Sequence, residues 1–212
     1  QDDPWLPIPH GYLKNWWYTE DTYWRYAPYY NTTIDNYQND EINILGQYDF
    51  VFRLPPVPYA GTWEFRICAP EVGHFGMFQP YIGTDRNNLT PIGLPLDFRL
   101  PSSNPTIGWQ ADTNDLDKNM EIDKNMRNHG YMKNIMHDGH TNGSAVTLPL
   151  RAVQGDYIRL RKILWSGYMS PDETYYVRFK SVLENTRTCC MLDYFELVPK
   201  YIYNGPEAED PW

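Results

Sequence analysis

The chain has 212 residues, a formal net charge of −9 and a mean hydropathy of −0.64. That length suits one large β-domain, or a β-domain with an extension. The acidic balance argues against a nucleic-acid partner held through phosphates, and the lack of a long apolar run argues against a membrane span. Aromatic residues make up 16% of the chain, with 18 Tyr and 8 Trp. Such richness suits surfaces that grip sugars or protein partners through flat, stiff contact area.

The sequence opens Gln1-Asp2-Asp3-Pro4, without an initiator Met or a secretory signal, as expected of a processed or excised piece. Residues 1–40 read as an aromatic-rich arm or linker. Prolines at 4, 7, 9 and 28 interrupt it, and Trp16, Trp17, Tyr18, Tyr23, Trp24, Tyr26, Tyr29 and Tyr30 follow neither helical nor strand period. So many rings need cover, so the arm is expected to lie on the main domain or on a neighbour. A short helix around Thr19 to Tyr26 is one reading of its middle.

Residues 41–212 read as the folded domain. Ile42 to Leu45 and Gln47 to Leu54 look like strand, the latter with Tyr48, Phe50, Phe52 and Leu54 on one face. Pro55-Pro56-Val57-Pro58 is a stiff crossing. In the strand Gly61 to Ala69, Trp63, Phe65 and Ile67 face one side and Thr62, Glu64, Arg66 and Cys68 the other. Phe75 to Ile82 is a third strand, whose Pro80 favours an edge or a bulge. Asn114 to Arg127 reads as a helix capped by Asp115 or Asn114. Ala145 to Leu150, Tyr157 to Leu164, Thr174 to Leu183 and Met191 to Val198 complete a set of eight or nine short strands.

That pattern predicts an all-β fold, an antiparallel β-sandwich with jelly-roll or Greek-key connections. The last strand is its anchor. Met191, Asp193, Phe195 and Leu197 alternate with Leu192, Tyr194, Glu196 and Val198, and Pro199 ends the run because it cannot donate to a ladder. Asp193 is surrounded by apolar residues and needs a cation, an arginine or backbone amides. Three cysteines, two of them adjacent, do not make a disulfide framework. They read as reduced or buried small hydrophobes.

Few residues suggest catalysis. His137-Asp138-Gly139-His140, with His129 nearby, matches no zinc spacing and reads as a polar loop. The acids Asp112, Asp115, Asp117, Glu121 and Asp123 read as a solvated loop or helix face rather than a glycosidase pair. Neither a Gly-x-Ser-x-Gly nor a phosphate-cradling glycine loop occurs. Sugar binding needs a ring face against a pyranose and planar polar groups for its hydroxyls. The candidates in predicted loops are Trp109, Trp165 and Tyr168, with Arg127, Asn128 and Tyr131 beside them. For each ring the competing reading is packing in the core or between domains, and Trp63 is assigned to the core.

Four stretches carry a resemblance when taken together. They are Leu54-Pro55-Pro56-Val57-Pro58 with Gly61 to Arg66; Phe78 to Ile82 with Ile92 to Asp97; Met126 to Lys133; and Leu192 to Lys200. In this order they resemble the galactose-binding-like C-terminal β-domain that follows fasciclin-type domains in surface lipoproteins of Bacteroidota. The missing motifs predict no catalysis; the resemblance implies a jelly roll and a place at the extracellular, outer-membrane surface, with lipid anchoring through a part absent from this chain. It implies a glycan, or an outer-membrane nutrient-uptake complex, as partner, with a preceding fasciclin-type domain. It also implies that Asp193, with Glu41 as its companion, helps hold a structural calcium ion; no other cofactor is expected. The alternatives are a structural or adhesion domain docking onto a protein and, behind it, a glycoside-active enzyme.

Overall fold

The computed structural model describes residues 23–28, 40–45, 47–70, 76–111, 113–133, 159–182, 189–192 and 194–200. The fold is an all-β antiparallel sandwich with one helix among the described residues. Its strands run β1 (Tyr23–Pro28), β2 (Asp40–Leu45), β3 (Asp49–Arg53), β4 (Gly61–Pro70), β5 (Met77–Gly83), β6 (Thr90–Pro91) and β7 (Leu96–Asp97). Helix α1 (Leu116–Asn128) follows, then β8 (Tyr131–Lys133), β9 (Arg159–Met169), β10 (Tyr176–Ser181), β11 (Cys189–Leu192) and β12 (Tyr194–Pro199).

One layer has the order β3-β10-β5-β6, with β7 also paired to β5. The other has the order β12-β4-β9-β8, and a smaller ladder β1-β2-β11 completes the set. Alternation along the strands decides what lies between the layers. Phe50 and Phe52 of β3, Phe78 and Ile82 of β5, and Val177 and Phe179 of β10 meet Trp63, Phe65, Ile67, Phe195 and Leu197. Ring contacts cross the gap directly: Phe52 stacks on Phe195 at 4.9 Å between centroids, and Phe179 meets Phe195 at 6.1 Å. Full burial of such a side chain contributes about 1.5–3 kcal/mol relative to exposure, so the fully buried members of these inner rows supply the main drive to close the sandwich.

Where β1 falls, the expected helix gives way to a strand. Tyr23–Pro28 pairs antiparallel with Asp40–Leu45, because ring-rich segments suit a pleated ladder better than a helix. The closing run also differs from one continuous strand. Cys189–Leu192 pairs with β2, whereas Tyr194–Pro199 pairs with β4. The run therefore serves two ladders, and its last strand ends at Pro199 as expected. Cys68 and Cys190 are both buried, in keeping with their reading as small hydrophobes.

Pro80 sits inside β5, yet opposite an interruption in the ladder. Its carbonyl accepts from the Ile92 amide at 2.8 Å, so the side where its N–H is missing faces the gap between β6, paired at Tyr81 and Ile82, and β7, paired at Met77 and Phe78. The Gln79 amide spans that gap, donating to Pro80 O, Ile92 O and Gly93 O.

Helix α1 is capped by Asp115, whose carboxylate accepts from the Lys118 amide at 3.1 Å. Its Ile122 and Met126 are buried against Ile107, Tyr131 and Leu160. The turn after it needs Gly130 at φ 76°, a left-handed conformation that glycine adopts without a Cβ penalty. None of the described helices is long and apolar enough to cross a membrane.

Candidate functional site

Three strands present a mixed aromatic and polar face to solvent. On β10, Val177 and Phe179 point inward, so Tyr176, Arg178 and Lys180 point outward. The register sets Tyr176 between Arg53 and Gly83, Arg178 between Val51 and Tyr81, and Lys180 between Asp49 and Gln79. Cross-strand neighbours on one face lie close enough to interact directly or diagonally, and here they do. Arg178 donates Nε and one Nη to the two oxygens of Asp49, both at 2.5 Å. Its guanidinium also lies over the Tyr81 ring, 5.3 Å from the centroid.

Asp49, Arg178 and Tyr81 thus form one chain of contacts across β3, β10 and β5. Side-chain exposures of 34% for Arg178 and 43% for Asp49 keep the pair in reach of solvent. An exposed pair of this kind contributes at most about 1 kcal/mol to stability, even with bidentate geometry. Its value lies in orientation: Nε and one Nη are held by Asp49, so the other Nη belongs to a guanidinium fixed in direction and can donate to a ligand. The bonds to the Asp49 carboxylate hold the Arg178 guanidinium above its ordinary pKa. At one end of this face, Gln47, Tyr48, Asp49, Tyr81, Lys180, Ser181 and Val182 line an open cavity of about 610 Å³. The Ser181 hydroxyl oxygen accepts from the Tyr48 amide at 3.1 Å and helps set its rim.

The opposite layer has an outer face of another kind. Glu64 and Arg66 point away from the core on β4, and Glu196 lies across from Arg66 on β12. Glu64 accepts from Arg66 at 2.8 Å and from Arg127 of α1 at 2.7 Å, with Glu64 3% and Arg66 0% exposed. Arg66 and Arg161 both approach Glu196, at 3.4 and 3.7 Å. Arg161 also donates to the Lys133 carbonyl at 2.9 Å. The helix is thereby tied to the sheet through buried charges.

The residues singled out from the sequence do not meet in one loop cleft. Trp109 packs half-buried against the cluster beneath α1, and Tyr131 is buried within it, with the Lys162 ammonium 4.0 Å from its ring centre. Arg127 is engaged by Glu64, and Asn128 is the exposed last residue of the helix. Trp165 and Tyr168 belong to strand β9, not to a loop. Trp165 packs on the main core, whereas Tyr168 is 67% exposed on the other side.

A β-bulge explains that divergence. Leu164 is the extra residue between the pairs Phe65↔Trp165 and Arg66↔Ile163. One inserted residue exchanges the two faces of the strand beyond it, so Trp165 turns inward over Gly167. Of the two calcium ligands implied by the resemblance, Asp193 lies outside the described residues. Of Glu41 only the backbone is described, paired with Ala27. His137 and His140 also lie outside the described residues. Among those described, no group of three or more His, Cys, Asp or Glu side chains is placed to hold a metal ion.

The residues that build the exposed face were absent from the sequence-based candidates. Their signal was present nonetheless in the strict alternation Tyr176-Val177-Arg178-Phe179-Lys180, which marks one face for the core and leaves a ring and two cations on the other. No family model matches the chain, and no curated protein is significantly similar to it.

Proposed function

We propose that the protein is a non-catalytic binding module that holds a glycan on the outer face of β3, β10 and β5. The observation that carries this reading is the row Asp49, Arg178, Tyr81 with Tyr176 beside it: a fixed guanidinium and carboxylate next to half-exposed rings. A pyranose offers an apolar face to a ring and hydroxyls to planar polar groups, and this surface has both. The cavity of about 610 Å³ falls within the size range of small-ligand sites.

The wider setting follows from the resemblance. It is a jelly-roll domain at the outer-membrane surface, beside a fasciclin-type domain and a glycan-uptake assembly, with Asp193 and Glu41 as calcium ligands. Affinity electrophoresis and calorimetry over a panel of soluble polysaccharides test the binding reading. The chain is expected to bind at least one polymer, and the double variant Tyr81→Ala/Tyr176→Ala to lose that binding at an unchanged Tm. Full binding by the double variant would remove the assigned face, and no binding by the wild-type chain across the panel would remove the glycan.

A further inference from the structure

We propose that the glycan is acidic, its sugars carrying a carboxylate or a sulfate that enters the cavity beside Lys180; this rests on the glycan reading above. The outward positions of β3, β10 and β5 hold Arg53, Arg178 and Lys180 against a single carboxylate, Asp49. That face is positive on a chain whose formal net charge is −9, so the local sign belongs to the site and not to the molecule as a whole.

Within the face, the charges are unevenly committed. Both oxygens of Asp49 are taken by Arg178, so the carboxylate in the cavity wall is already neutralised. Lys180 stands directly across the ladder from Asp49 on the same wall, exposed, and enters no ion pair among the described residues. An ammonium with three donors, next to the Ser181 hydroxyl, suits an anionic substituent better than a neutral hydroxyl. The Tyr81 ring beside it offers the apolar wall for the sugar that bears the charge. A neutral glycan would leave the Lys180 ammonium to water; an acidic one supplies it with a charged partner.

The test is affinity electrophoresis of the whole chain through gels holding a polyuronate, a sulfated galactan or a neutral glucan, repeated with Lys180→Gln and Tyr81→Ala. Lys180 is exposed, so Lys180→Gln is expected to fold with an unchanged Tm. The wild-type chain should be retarded most by one of the acidic polymers, and which one tells carboxylate from sulfate. Lys180→Gln should weaken that binding about tenfold, the loss of one charge-assisted hydrogen bond, and Tyr81→Ala should weaken it too. Equal retardation by the neutral glucan, or Lys180→Gln binding the acidic polymer like wild type, would overturn the acidic specificity and leave the glycan reading standing. Binding lost in Lys180→Gln but untouched in Tyr81→Ala would show charge adsorption and overturn the proposed cavity. Retardation by none of the polymers would overturn the glycan reading itself.

Discussion

The two outer faces of the sandwich use the same chemistry in opposite environments. On β3 and β10, Arg178 grips Asp49 in the open; on β4 and α1, Arg66 and Arg127 grip Glu64 out of water. The exposed pair adds little stability and stays within reach of a ligand. In the buried set each charge is compensated by its neighbours, so removing one leaves others stranded at low dielectric. Burial therefore decides whether an arginine–carboxylate contact serves binding or architecture.

The sharpest way to break this contrast is Glu64→Ala. It would leave Arg66 and Arg127 facing each other at the helix–sheet junction, and a loss of about 3–5 kcal/mol in unfolding free energy is expected from chemical denaturation. A loss below about 1 kcal/mol would show that the buried set behaves like a surface one. A smaller effect is expected from Gly167→Ala. A Cβ there would meet the Trp165 ring within about 2.1–2.8 Å, so the indole must shift, at a cost of about 1–3 kcal/mol. Tryptophan fluorescence should shift to the red as Trp165 is displaced, and an unchanged spectrum and Tm would show that the ring does not sit over Gly167.

The smallest stability change belongs to Asp49→Ala, at most about 1 kcal/mol. Its effect should appear in recognition instead, because Arg178 then loses the partner that aims its guanidinium. Glycan affinity is expected to fall severalfold with little change in Tm, the reverse of the order set by Glu64→Ala. Raising the salt concentration should erode the Asp49–Arg178 contribution far more than the Glu64 one.

Much of the architecture was legible along the chain. Period-two alternation located β3, β4, β5 and β10, the Asp115 cap marked the start of α1, and Pro199 marked the end of β12. Less of the candidate site could be read, since its members are far apart in sequence. Asp49 and Arg178 are separated by 129 residues, and Glu64 and Arg127 by 63. Local patterning says that Tyr176, Arg178 and Lys180 share a face, but not which strand lies beside them.

What the sequence determined by itself, then, is which side of most strands is apolar and where the elements start and stop, because side-chain alternation and capping act within a few residues. Only the tertiary structure decided that β10 lies between β3 and β5, which puts Asp49, Arg178 and Tyr81 in one row. It also decided that the Leu164 bulge turns Trp165 into the core and leaves Tyr168 outside. Strand neighbours and bulges are chosen by the packing of the whole core and not by local preference.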